Sequence, residues 1–244
     1  MAALDWGPHA VDAEPFTLDG AGGASIDAFH ARPEGSVASG IVLHPDIGGF
    51  RPLFDDMARR IASHGFAVAA FEPFGRVSRE ERAGMDLDAR MRAIGRLVDA
   101  EQLGDMASAA DALVARDDVT KVATLGFCMG GMYTLKAAAT GRFDRAVAFY
   151  GQLTVPEGWR GPGLAGPLAT AGDVCPTLAV LGGRDDFTPA EDIDALRAAW
   201  ADRSDCEIAF YPDADHGFVH DPDRPAHRAD DAADAWRRAL EFLA

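Results

Sequence analysis

The stretch LGFCMGG, Leu125 to Gly131, sets a cysteine at a tight corner: an apolar run leads into Cys128, and glycines stand at 126, 130 and 131. A structural cysteine buried in a core needs no such corner. A nucleophile that must stand clear of a sheet does, because its backbone is strained. Side chains two positions to either side would then collide with the neighbouring strand and helix. Gly126-Phe127-Cys128-Met129-Gly130 fits the strand-to-helix elbow G-x-S-x-G with sulfur in place of oxygen. The helix that follows presents its N-terminus beneath the sulfur, where its dipole favours a thiolate. The N–H of Met129 can then face a developing oxyanion.

Outward from this corner, short β-rich runs alternate with helical patterns. Strands are expected over 25–31, 40–45, 66–73, 121–128, 145–151, 176–183 and 207–213. Several are continuous apolar stretches bounded by Gly, Pro or Asp, as strands covered on both faces should be. Leu53, Met57 and Ile61 share a helical face, as do Met91, Ile94 and Val98, and Trp236, Leu240 and Leu243. Pro189 followed by Ala-Glu-Asp marks a helix start. The alternation predicts an α/β fold with a mostly parallel central sheet and helices on both faces, as one domain over 1–244. Residues 153–173 are rich in Gly and Pro and carry no pattern; a lid and a surface excursion are both open readings.

A cysteine nucleophile needs a base, and the base needs a third group to hold it. Downstream, LGGRDDFTP (181–189) is an apolar strand ending in Gly-Gly, with Asp185 just past it. YPDADHGF (211–218) then places His216 on a loop. The order nucleophile, acid, histidine fits. Asp186 competes with Asp185 for the acid role, whereas Asp205 lies too early. His9, His30 and His64 lack an acidic or glycine-rich setting and are expected to be surface or core fillers; His44 ends a strand close to the site but precedes a proline, so a packing role is expected. His216, His220 and His227 make no metal site, because Gly217, Pro222 and Pro225 interrupt any helix that could align them.

Composition limits the function classes. Of 244 residues, 48% are apolar and 25% charged, which is globular and not disordered. Arg plus Lys number 23 against 39 acids; the net charge of −16 disfavours nucleic-acid binding. No apolar run reaches the roughly 20 residues that span a bilayer, and no secretory signal is visible. Cys128, Cys175 and Cys206 lack a CxxC and read as reduced thiols of a cytoplasmic protein. The chain is expected to act as a monomer or weak homodimer, with no metal or cofactor.

With these residues in place, the chain resembles the dienelactone hydrolase family of α/β-hydrolases from about residue 25 onward. The carriers are HPDIGGF (44–50), LGFCMGGMY (125–133), RAVAFYG (145–151), LGGRDDFTP (181–189) and DADHGF (213–218). The resemblance implies a Cys128–His216–Asp185 triad and an oxyanion hole from the N–H groups of Ile47 and Met129. It also implies that Asp46, where the family carries a glutamate, holds or activates the cysteine. Where the family's type member has an arginine for a substrate carboxylate, this chain has His220; where it has paired tyrosines, this chain has Phe149-Tyr150. Substrate contacts are therefore sought among His220, Phe149, Tyr150, Arg76 and Arg90, with Arg79 and Arg82 as further cations. The expected activity is hydrolysis of small esters or lactones through a thioester. Alternatives are a non-catalytic member that binds ligand or senses oxidants through Cys128, and a glutaminase-type cysteine amidohydrolase. The latter would want a glutamate two residues past the histidine, where Phe218 stands.

Overall fold

A computed structural model describes residues 2–37 and 39–244. Eight strands form one sheet in the order β1-β2-β4-β3-β5-β6-β7-β8. They are β1 (Val11–Asp19), β2 (Ser25–Pro33), β3 (Ser39–His44), β4 (Phe66–Phe71), β5 (Val122–Phe127), β6 (Arg145–Phe149), β7 (Thr177–Gly182) and β8 (Cys206–Tyr211). The β1–β2 and β2–β4 pairings are antiparallel, and all others are parallel. Every residue of β4, β5 and β7 is buried, which explains why these strands read as continuous apolar runs.

Helices cover both faces. On one lie α1 (Pro52–Ser63) and α7 (Ala229–Leu243), which bury Phe54, Met57, Ile61, Trp236 and Leu243 against Leu43, Leu125 and Val147. The other face carries α4 (Asp99–Asp117) and α5 (Met129–Ala138), with α6 (Ala190–Ala199) beyond them. Two short helices, α2 (Arg79–Ala83) and α3 (Leu87–Ile94), link β4 to α4.

The expected face Met91, Ile94 and Val98 does not form one helix. Gly95 caps α3, and Val98 already stands at the start of α4. The helix expected after Pro189 starts as predicted, with Pro189 in the capping position. The segment 153–173 folds as turns of 3-10 helix at Glu157–Trp159 and Pro167–Asp173.

From β3 the chain turns to β4 on one side, and β5 then lies on the other. The carboxyl ends of β3 and β5 therefore flank a topological switch point, where open α/β sheets place their ligands. In register, His44 pairs with Gly126, so the loop after His44 runs level with Cys128.

Candidate active site

Cys128 sits between β5 and α5 with φ 57° and ψ −118°, a strained backbone for a residue with a β-carbon. Its glycine neighbours explain how the corner closes. A β-carbon on Gly126 would come within 2.3 Å of the Gly130 carbonyl oxygen; one on Gly130 would lie 2.3 Å from that of His44 and 2.4 Å from that of Pro45. The first turn of α5 is thus wedged against the end of β3. The Cys128 amide donates to the Phe149 carbonyl at 3.0 Å, which fastens the corner to β6. The amides of Ile47 and Met129 find no acceptor among the described residues.

His216 reaches the sulfur from the loop after β8. Its Nδ1 lies 2.8 Å from Asp185 Oδ2, and the Asp185 side chain is fully buried. Asp185 is held in turn by the Phe187 amide, which donates to Oδ1 at 2.9 Å. Asp186 is exposed. Burial alone would depress His216, but the charge of Cys128, a hydrogen bond to Asp185 and one to Cys128 outweigh it and raise the imidazole to about 10. With Nδ1 on Asp185, the other ring nitrogen is the one left for the sulfur.

Asp46 and His220 take different positions from those the motifs imply. Asp46 is not bonded to Cys128. Its carboxylate accepts from Arg51 at 2.5 and 2.9 Å, from the Gly48 amide at 2.8 Å and from His220 Nε2 at 2.9 Å. Burial would raise this carboxyl, yet His220 and Arg51 hold it well below the usual range. His220 is fully buried, stacked against Phe54, and its Nδ1 is bonded to the Tyr150 hydroxyl. Burial pushes its pKa down despite Asp46. One set of protons satisfies the chain: neutral His220 donates from Nε2 to Asp46 and accepts at Nδ1 from Tyr150. His220 is therefore a buried link between the loop after β3 and the loop after β6, not a cation facing the site.

The other sequence-derived candidates separate. Tyr150, at φ 38°, sets its ring edge-on to His216 with centroids 5.2 Å apart. Phe149 is instead a core residue, stacked on Phe127 at 4.6 Å and packed on Trp236. Arg76 is taken by Asp105 and Glu101, and Arg79 and Arg82 by Asp27. Arg90 lies against the loop after β3: its Nη2 donates to the Arg82 carbonyl at 3.2 Å, and its Nη1, buried without a hydrogen-bond partner, is 3.0 Å from where a Gly49 β-carbon would stand, next to the Glu72 carboxylate. His30 is not a filler, since it pairs with buried Asp117 at 2.8 Å. His44 does pack, between Tyr133 and Phe71, and burial lowers it to about 4.

Several residues at the site were not legible from motifs. Gln152, fully buried, points its Nε2 at Cys128 Sγ from 3.8 Å. Phe187, 40% exposed, lies 4.8 Å from the His216 ring and stacks on Trp159 at 5.9 Å, so Trp159 of the 153–173 segment stands beside the site, while Leu153 and Ala171 pack with Ile193 and Leu196 of α6. The Arg224 guanidinium packs on Gly217, whose β-carbon would come within 2.7 Å of Cζ, and no carboxylate pairs with it among the described residues. Gly217 at φ 78° is thus required twice over, by its backbone and by that arginine. No group of His, Cys, Asp and Glu among the described residues could hold a metal ion, and no described helix could cross a membrane.

A strained cysteine at the carboxyl end of a central parallel strand, with an acid and histidine on later loops, defines an α/β-hydrolase. The dienelactone hydrolase family profile matches residues 26–244, and the chain belongs to that family. It is 32% identical to an Escherichia coli K12 protein named "Putative carboxymethylenebutenolidase", across 93% of this chain and 85% of the relative. A carboxymethylenebutenolidase of Rhodococcus opacus is 30% identical, across 89% and 85%. Among solved structures, a Klebsiella pneumoniae protein described as a "Putative Dienelactone Hydrolase" superposes with TM-score 0.87 at 27% identity, covering 96% of this chain and 98% of that one. The protein is accordingly a hydrolase of this fold.

Proposed function

We propose that the chain hydrolyses small carboxylic esters or lactones with Cys128 as nucleophile, His216 as proton carrier and Asp185 as the group that orients it. The single observation that carries the reading is the strained Cys128 with the His216–Asp185 pair, 2.8 Å apart, beside it. Attack by the thiolate forms the S–C bond and moves the carbonyl π electrons onto oxygen, where the amides of Ile47 and Met129 are free to donate. Collapse breaks the C–O bond, and the imidazolium gives its proton to the leaving oxygen. Water then adds to the thioester as His216 takes its proton, and the electron pair of the S–C bond returns to sulfur. Asp46 acts here through the loop that carries Ile47, tied to Arg51 and His220, and not through the sulfur.

The names of the relatives point to butenolide-type lactones. Phe187 beside His216, stacked on Trp159, offers such a ring an aromatic surface. For a substrate carboxylate, the candidate cations are Arg224, which the sequence reading did not name, and Arg90, which it did. The test is turnover of p-nitrophenyl acetate and of a five-membered unsaturated lactone by wild type and Cys128→Ala. Loss of more than about 10³ in kcat/KM with unchanged melting is expected. Retained turnover in Cys128→Ala would overturn the reading.

A further inference from the structure

Gln152 stands out among the buried side chains because neither end of its amide is explained by packing. It is fully buried; Nε2 lies 3.8 Å from Cys128 Sγ, and Oε1 has no hydrogen-bond partner. Burying an amide oxygen without a donor is unfavourable, so a purely structural residue here would be better apolar. The backbone presses the group onto the elbow. A β-carbon on Gly151 would come within 2.4 Å of the Gly131 carbonyl carbon, which holds the start of the β6–β7 connection against the first turn of α5.

We propose that Gln152 is a catalytic residue of this site, with its N–H donating to the Cys128 thiolate and its free Oε1 accepting from the water that attacks the thioester. This rests on the reading of Cys128 as the nucleophile. An N–H aimed at sulfur favours the anion that attacks, and favours it again when the S–C bond breaks and the electron pair returns to sulfur. The carbonyl end of the same amide offers the incoming water an acceptor, while the water's proton leaves to His216. No other proton is moved, and Gln152 keeps its own.

The test uses Gln152→Met, which keeps length but removes both donor and acceptor. Modification of Cys128 by iodoacetamide at pH 7.5, read by peptide mass, is expected to slow about tenfold, the worth of one hydrogen bond to a charged group. kcat for the ester is expected to fall at least as much with KM within about twofold, and the melting temperature to hold or rise because an unpaired acceptor is gone. If Gln152→Met does not fold, Gln152→Leu is measured instead, and the same slowing is expected because leucine likewise lacks the donor. A folded variant that is alkylated within twofold of wild type overturns the proposal. Slowed alkylation of Gln152→Met, when the wild type itself turns over no ester, upholds the contact to sulfur and defeats the hydrolase reading instead. Wild-type Cys128 that resists iodoacetamide defeats both.

Discussion

Replacing Asp185 by Asn tests the link between buried charge and rate. The carboxylate is fully buried, 2.8 Å from His216 Nδ1, and is one of the groups that raise the imidazole to about 10 against its own burial. Asn keeps the size and can still accept from the Phe187 amide through Oδ1, so little stability is lost through that bond. Two costs fall on His216. A hydrogen bond to a charged group is worth roughly 1.5–3 kcal/mol, about 10- to 150-fold in rate. If the Asn amide turns its NH2 toward Nδ1, the ring proton must sit on the nitrogen facing Cys128, the wrong tautomer for a base. Together these predict a kcat/KM loss of about 10² to 10⁴ by stopped-flow ester hydrolysis. The pH signature follows from linkage. His216 is raised in the folded protein, so its proton stabilises the fold below its unfolded value near 6.5. That contribution is lost as pH climbs through about 10. Asp185→Asn should flatten this decline between pH 6.5 and 10 in thermal melts. Retention of activity within fivefold, or a larger loss in exposed Asp186→Asn, would refute the assignment.

Three further outcomes are expected. Gly130→Ala should cost about 3 kcal/mol or more, because its β-carbon would meet two backbone oxygens that no rotamer change can move, and chemical denaturation measures this. Asp46→Ala should destabilise by about 3 kcal/mol, since buried His220 and half-buried Arg51 lose their shared partner. Asp46 is held below its ordinary range, so its contribution is present above about pH 4 and lost as pH falls further; the variant's acid-unfolding curve should lack that component. Arg224→Ala should lower kcat/KM for a carboxylate-bearing ester about tenfold and leave a neutral ester within twofold, while His220→Ala shifts neither preference; a preference for the anion that survives Arg224→Ala would count against this cation and point to Arg90.

The juxtaposition of Cys128, Asp185 and His216, proposed here as nucleophile, acid and base, was legible in the sequence because each stands near a glycine or a strand end, where local geometry leaves a mark. Gly126 and Gly130 signal contacts that only a missing β-carbon allows, and the structure supplies the contacts. The sheet was legible for the same reason, since strands buried on both faces are apolar throughout. β1 escaped notice because it pairs on one edge only and most of its residues face solvent, leaving Leu18 as its one buried apolar side chain. α4 escaped because its buried face carries Gln102 and Asp105, which interrupt the apolar period.

The partners of charged groups were not legible, since pairing is decided by neighbours distant in sequence. His30 and Asp117 stand 87 residues apart, and His220 and Asp46 174. His220 shows the consequence for substrate charge. At the position where the family's type member offers a cation, this chain has a histidine whose burial keeps it neutral and whose two nitrogens are both engaged. A cation there cannot be recovered by mild acid without burying a charge next to Arg51 and Arg224, both of which already oppose its protonation. If the substrate is an anion, its counter-charge must come from outside that buried link, and Arg224, unpaired and packed on Gly217 beside His216, is placed to supply it.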